Sequence, residues 1–183
     1  EYDETLFIIF ADHGDAFGEH GEFSHREYLY DTTLHVPLIV KSPGSTDDRV
    51  CTDLVRLIDV YPTVLSSLGI STEECDGKPL STAITDDTDR YAYAETRYER
   101  SAEDFTDLEK SYVALRSRRW KLIVDRLSDE RELYDIKRDP DEQINRYDDN
   151  PDAARQLETR LEELLVESPE DSSVMTESEL DSV

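Results

Sequence analysis

The residues best suited to chemistry lie together near the start of the chain. Asp12 and His13 are adjacent and are followed by Gly14. The remaining histidines, His20, His25 and His35, fall within the next 22 positions, with Asp15 and Glu19 among them. A carboxylate oxygen and an imidazole nitrogen are both ligands for a divalent cation. Side chains of neighbouring strand residues point to opposite faces. Asp12 and His13 can therefore converge only where a strand ends and the backbone turns, and Gly14 permits such a turn. The two cysteines, Cys51 and Cys75, have neither a C-x-x-C spacing nor a Cys/His ligand pattern, and they read as free thiols.

The elements around these residues give them a position. Leu6 to Ala11 is a continuous apolar run of strand length, and its pattern predicts a strand covered on both faces, as in a parallel sheet. Asp12-His13-Gly14 closes that strand, at the end where open α/β sheets bind ligands. A polar loop follows to Arg26. A short helix is expected over 27–34, and a second strand over Val36 to Lys41, ended by the turn Ser42-Pro43-Gly44-Ser45. Asp59 reads as the N-cap of a helix running to Leu68, with Pro62 in its first turn and Gly69 as its stop. Residues 71–89 read as surface loop.

A second group of elements follows. A short strand is expected over Tyr91 to Glu95. Ser111 to Leu115 and Trp120 to Val124 flank a basic turn, Arg116-Ser-Arg-Arg119, and predict an antiparallel hairpin. Glu132 to Asp135 adds a third strand. Pro151 opens a helix whose apolar face carries Ala153, Ala154, Leu157, Leu161, Leu164 and Leu165. From Glu167 onward the chain has no base and few apolar residues, which predicts a disordered acidic tail.

The 183 residues carry 45 acids against 20 bases, a net charge of −25, and only five of the bases are lysines. Acids spread from Asp3 to Asp181 describe a carboxylate-coated folded protein. Such a coat is similar to that of proteins from salt-in halophiles, haloarchaea above all, where screening removes the self-repulsion. It excludes a nucleic-acid partner, which needs clustered Lys and Arg. No run is long enough to span a membrane and no signal peptide opens the chain. These absences and the free thiols point to the cytoplasm. The chain opens without Met, four residues before a strand pattern, and reads as a piece of a longer protein.

The order of motifs supplies a family. Phe10-Ala-Asp-His-Gly-Asp-Ala-Phe-Gly-Glu-His-Gly21 is followed by His25, Tyr30-Asp31 and His35-Val-Pro-Leu-Ile-Val40, and then by Pro43-Gly44. This closely resembles the sulfatases of the alkaline phosphatase superfamily. Asp59-Val-Tyr-Pro-Thr63, Asp76-Gly77 with Pro79-Leu80, Trp120-Lys-Leu-Ile123, Glu132-Leu-Tyr-Asp135 and Asp139-Pro-Asp-Glu142 with Asn145 continue the resemblance in order.

The resemblance implies an α/β fold: the C-terminal part of an alkaline-phosphatase-like sheet, followed by a small antiparallel β-sheet with a closing helix. It divides the chain into residues 1–85 (end of the catalytic domain), 86–166 (C-terminal subdomain) and 167–183 (tail). It implies sulfate-ester hydrolysis with a divalent metal, Ca²⁺ more than Mg²⁺. Asp12 and His13 match the later half of the metal ligands, and His25 matches a catalytic position near the leaving-group oxygen. A small-molecule or carbohydrate sulfate ester would be the substrate. The family's nucleophile, a formylglycine made from a C/S-x-P-S/T-R motif, has no match at Cys51, Cys75 or elsewhere, and the earlier acidic ligand pair has none either. Both would lie upstream, in the N-terminal part of the same protein, so this chain alone is expected to be inactive. Arg97, Arg100, Arg116, Arg118 and Arg119 could meet an anionic sugar, though solvated arginines are the simpler expectation. Two alternatives remain: a phosphodiester or phosphonate monoester hydrolase of the same superfamily, and a non-catalytic truncated relative.

Overall fold

The computed structural model describes all residues except 24, 26, 27, 47, 85–89, 99–109 and 168–183. Residues 168–183 of the acidic tail, Arg100, the start of the expected helix at 27 and the expected boundary at 85/86 therefore lie outside the described residues, while Glu167 ends a helix rather than opening the tail. Strands β1 (Phe7–Phe10) and β2 (Leu38–Lys41) form a two-stranded ribbon. The pairing is antiparallel, Phe7 opposite Lys41 and Phe10 opposite Leu38. The expectation of a strand covered on both faces is corrected here. Ile9, Phe10 and Ile39 are exposed on the ribbon. An apolar run records what its residues require, not whether the same chain supplies the cover.

The larger unit is a four-stranded antiparallel meander, β3 (Ala92–Tyr98), β4 (Lys110–Arg116), β5 (Trp120–Asp125) and β6 (Arg131–Asp135), in sequential order. Strand alternation sorts its residues into two faces. One face carries Val113 and Leu115, Leu122 and Val124, and Leu133. On it lies helix α4 (Pro151–Glu167), which buries Ala154, Leu157 and Leu161. Burial at this level is worth roughly 1.5–3 kcal/mol for each leucine. Leu115, Leu122 and Leu133 stand opposite one another across three strands.

The other face is mixed. Ala114, Ile123 and Tyr134 pack with Ile136 against Leu29, with Tyr30 and Tyr112 beside them. Helix α1 (Asp31–Leu34) is shorter than the sequence pattern suggested and begins directly after this contact. The hairpin turn is closed by Ser117, whose N–H donates to the Trp120 carbonyl (2.8 Å) and whose Oγ accepts the Trp120 N–H (3.0 Å). Arg119 reaches from this turn to Asp135 through both Nε and Nη2.

Helix α2 (Val60–Ser67) follows a 3-10 turn at Leu57–Asp59. Asp59 does not cap it through its side chain. The carboxylate is fully buried and turns back, accepting the N–H groups of Arg56 (2.9 Å) and Lys78 (3.0 Å) and the guanidiniums of Arg56 and Arg90. Burial pushes this carboxyl up, but the Lys78 N–H and the Arg56 contacts outweigh it and hold it below the ordinary value. Gly77 makes the Lys78 contact possible, because a Cβ there would sit 2.1 Å from the Ile58 carbonyl oxygen. The stretch expected to be surface loop is thus drawn inward. It forms helix α3 (Leu80–Ala83), with Leu80 and Ala83 buried and the Leu80 N–H donating to Thr63 Oγ1.

Candidate metal centre and catalytic histidine

Beyond Phe10 the chain leaves the ribbon and turns. The His13 N–H donates to Asp12 Oδ1 (3.1 Å), which folds the two side chains toward each other. His13 Nδ1 lies 2.9 Å from the Gly14 carbonyl oxygen. A carbonyl only accepts, so Nδ1 is the donor and Nε2 is the nitrogen left to face a cation. That nitrogen stands 3.8 Å from Asp12 Oδ2. Two ligands on one hard cation, each bonded at about 2.0–2.6 Å, lie about 3–4 Å apart. The pair therefore fits a shared cation, with the imidazole oriented by a backbone carbonyl, as metal-binding histidines usually are.

Gly14 fixes the turn against α1. Its N–H donates to the Thr33 carbonyl (2.9 Å), and a Cβ at this position would meet the Thr32 carbonyl oxygen at 2.1 Å. Thr33 is in turn buried, and its hydroxyl donates toward the Tyr28 and Tyr30 carbonyls.

His25 comes to the same place from the next loop. Its ring stacks on that of His13, with centroids 4.1 Å apart and planes 15° from parallel. Its Nδ1 lies 2.6 Å from Asp15 Oδ1, donating to that carboxylate. Asp15 is thus the orienting partner of His25. His13, Asp15 and His25 hold ligand atoms within 4.8 Å of one another. Nearly parallel stacked rings, however, direct their lone pairs along parallel planes, and one ion cannot lie in both. Each imidazole has its own carboxylate neighbour, Asp12 for His13 and Asp15 for His25. Asp12, His13 and His25 open onto a broad groove whose wall also includes Arg116, Arg118 and Lys121.

The other candidates are placed elsewhere. His20, with φ of 55°, stacks on the ring of Tyr30 at 3.7 Å and is a packing residue. Glu19 accepts the Phe17 N–H, which lowers its carboxyl below the ordinary value. His35 ends α1, its N–H donating to the Asp31 carbonyl. Arg116 and Arg118 are paired with Asp31 and Asp53, and Arg119 with Asp135. Cys51 and Cys75 are free thiols.

A buried charge cluster lies behind the site. Lys121 is completely buried, 2.8 Å from Asp31 Oδ1 and 2.7 Å from Glu142 Oε1. Glu142 Oε2 accepts the Asp31 N–H (2.5 Å), and Arg116 pairs with the second Asp31 oxygen. Burial raises the Glu142 carboxyl above its ordinary value, opposed by Lys121. Asp31, Lys121 and Glu142 each fall in a motif of the family resemblance, but nothing in the sequence joined the three into one cluster.

An imidazole and a carboxylate converge at the end of a strand, with a second oriented imidazole beside them, a donor set of the kind that can hold a divalent cation. The structure of BT1596, a 2-O GAG sulfatase, superposes with a TM-score of 0.75 over 91% of this chain and 37% of that one, at 24% identity. The phosphonate monoester hydrolase SpPMH from Silicibacter pomeroyi gives 0.70 over 91% and 35%, also at 24% identity. The fold is thus the C-terminal part of an alkaline-phosphatase-like one. Arylsulfatase K of Mus musculus is 29% identical over 168 residues, covering 88% of this chain and 30% of the mouse protein. Residues 18–170 match the family described as N-sulphoglucosamine sulphohydrolase, C-terminal, and the chain belongs to that sulfatase family. It spans about 30% of the length of the curated relatives it matches.

Proposed function

We propose that this chain is the C-terminal part of a sulfatase that hydrolyses small-molecule or carbohydrate sulfate esters. Asp12 and His13 would be two ligands of its divalent cation, Ca²⁺ in preference to Mg²⁺. The cation, when bound, polarises the sulfate oxygens as a Lewis acid. His25, with Nδ1 held by Asp15, offers its Nε2 edge to the departing oxygen. There it supplies the proton or positive charge that an alkoxide requires as the S–O bond breaks. The remaining ligands and the formylglycine nucleophile belong to the preceding part of the hydrolase, which would also cover the exposed β1–β2 ribbon. The 183 residues alone are inactive on this reading. The carrying observation is the 3.8 Å approach of His13 Nε2 to Asp12 Oδ2 with the tautomer set by Gly14.

The charge of −25 supports a halophilic origin, and the two free thiols are compatible with the cytoplasm. Among the described residues no helix is long and apolar enough to cross a membrane. The division into a catalytic-domain end, a C-terminal subdomain and a tail follows from the same reading.

The test is aryl-sulfate hydrolysis by the complete hydrolase in molar salt, with and without Ca²⁺, beside the His13→Ala variant. Cation-dependent turnover lost in the variant supports the reading. Turnover that ignores both refutes it. The likeness to SpPMH favours a second reading, a phosphonate monoester or phosphodiester hydrolase. Faster cleavage of a phenylphosphonate ester than of the matching sulfate would select it. An upstream sequence without a C/S-x-P-S/T-R motif would instead select a non-catalytic relative.

A further inference from the structure

Residues 28–31 each join the two functional loops to the far sheet. Lys110 donates to the Tyr28 hydroxyl. Leu29 is buried with Ala114, Ile123 and Tyr134. The Tyr30 hydroxyl donates to Glu132 (3.0 Å). Asp31 is gripped at three points, by Lys121 and Arg116 at its carboxylate and by Glu142 at its N–H. Asp31 is the first residue of α1, and the Thr33 carbonyl of that helix receives the Gly14 N–H. Gly14 directly follows His13, and His25 lies three residues before Tyr28.

The charges in this cluster are not a packing requirement of the sheet. The opposite face of the same strands closes on α4 chiefly through Leu115, Leu122 and Leu133, with the Arg131–Glu158 pair (3.0 Å) beside them. Buried ion clusters are seldom better for stability than apolar residues of similar volume, but they fix one geometry. Here the fixed geometry is that of α1 relative to β5.

We propose that Lys121 and Glu142 are positioning residues for the cation site, holding Asp31, α1 and Gly14 so that Asp12 and His13 stay convergent. The proposal rests on the reading of Asp12 and His13 as cation ligands. Neither residue touches the ion. Lys121 acts through the Asp31 carboxylate and Glu142 through the Asp31 N–H.

The experiment compares Lys121→Met and Glu142→Gln with Leu157→Ala, a control that weakens the α4 face alone. Two quantities are read in molar KCl: exchange of the Gly14 amide by NMR in the 183-residue chain, and Ca²⁺ affinity by calorimetry in the complete hydrolase. Lys121→Met should speed Gly14 exchange and weaken Ca²⁺ binding by about tenfold or more, as loss of a supporting partner does at metal sites. Glu142→Gln should do so less, and Glu142→Asp should restore part of the loss. Leu157→Ala should leave both within about twofold, since distant sites act independently. Equal effects of Lys121→Met and Leu157→Ala, or unchanged Gly14 exchange in Lys121→Met, overturn the proposal. If Lys121→Met does not fold, Glu142→Gln decides by the same two readouts. Failure of the wild-type hydrolase to bind Ca²⁺ would sink the ligand assignment, whereas Gly14 exchange would still decide whether Lys121 positions the loop.

Discussion

His13 and His25 lie ring on ring, 4.1 Å between centroids, yet each is held by a different oxygen: His13 by the Gly14 carbonyl and His25 by the Asp15 carboxylate. On the proposed roles, the stack brings a cation ligand and a proton donor to one place, each ring held by its own partner. Substituting each in the complete hydrolase should therefore give different losses. His13→Ala should abolish Ca²⁺ binding. His25→Ala should preserve it and lower kcat by about 10²–10⁴-fold, the usual scale for loss of a general acid. Calorimetry and steady-state kinetics on the two variants separate the roles. Loss of Ca²⁺ binding in both would mean that the rings share the ion.

Asp59 should govern part of the acid limb of stability. Its carboxyl is held below the ordinary value in the fold despite burial, so its contribution is present above the unfolded value near pH ~3.9 and lost as pH falls through the folded one. Asp59→Asn leaves Arg56 and Arg90 facing a neutral group and should cost about 3–5 kcal/mol at pH 7. The gap from wild type should narrow as pH is lowered below about 4. Urea melts at fixed high salt between pH 7 and pH 3 measure it. A gap that does not change with pH would assign the loss to packing alone.

What the sequence discloses depends on how local the governing contacts are. The β4–β5 hairpin and α4 were legible because Leu115, Leu122 and Leu157 follow periods set by their own elements. The convergence of Asp12 and His13 was legible because adjacent residues at a strand end have few options. The covering of β1 was not, since its alternation is silent about which chain segment lies on Ile9. Asp15 could be an imidazole's partner on sequence grounds, but a loop carboxylate ten residues from its histidine has no periodic signature that would rank it above a solvated acid. The Asp31–Lys121 and Asp31–Glu142 contacts span 90 and 111 positions, and no local pattern encodes them. Asp59 was read as a helix cap for the same reason: its partners Lys78 and Arg90 come from distant turns.

Carboxylate repulsion should make stability depend on salt. A net charge of −25 spread over the chain repels itself at low ionic strength. The Debye length falls from about 10 Å at 0.1 M to about 3 Å at 1 M. Tm should rise continuously from 0.1 M to molar KCl. Sucrose, which favours compact states without screening, should not reproduce the rise below 1 M salt. Thermal melts monitored by circular dichroism test this. A Tm independent of KCl would show that the charges are already neutralised pairwise.

Gly14→Ala offers the most local test of how the site is built. A Cβ at this position would lie 2.1 Å from the Thr32 carbonyl oxygen, a backbone atom that cannot rotate away. Either the 12–14 turn or α1 must shift, at a cost of about 1–3 kcal/mol, the usual range for overpacking. Movement of the turn breaks the Gly14-to-Thr33 hydrogen bond that sets His13, whereas movement of α1 strains Asp31 against Lys121. The buried ion cluster resists the second route, so the turn should move. Ca²⁺ affinity of the complete hydrolase should then fall by about tenfold or more, while the amides of β4 and β5 keep their exchange protection. Calorimetry and amide exchange distinguish the routes. Unchanged Ca²⁺ affinity with loss of protection around Lys121 would show that α1, not the turn, is the yielding element.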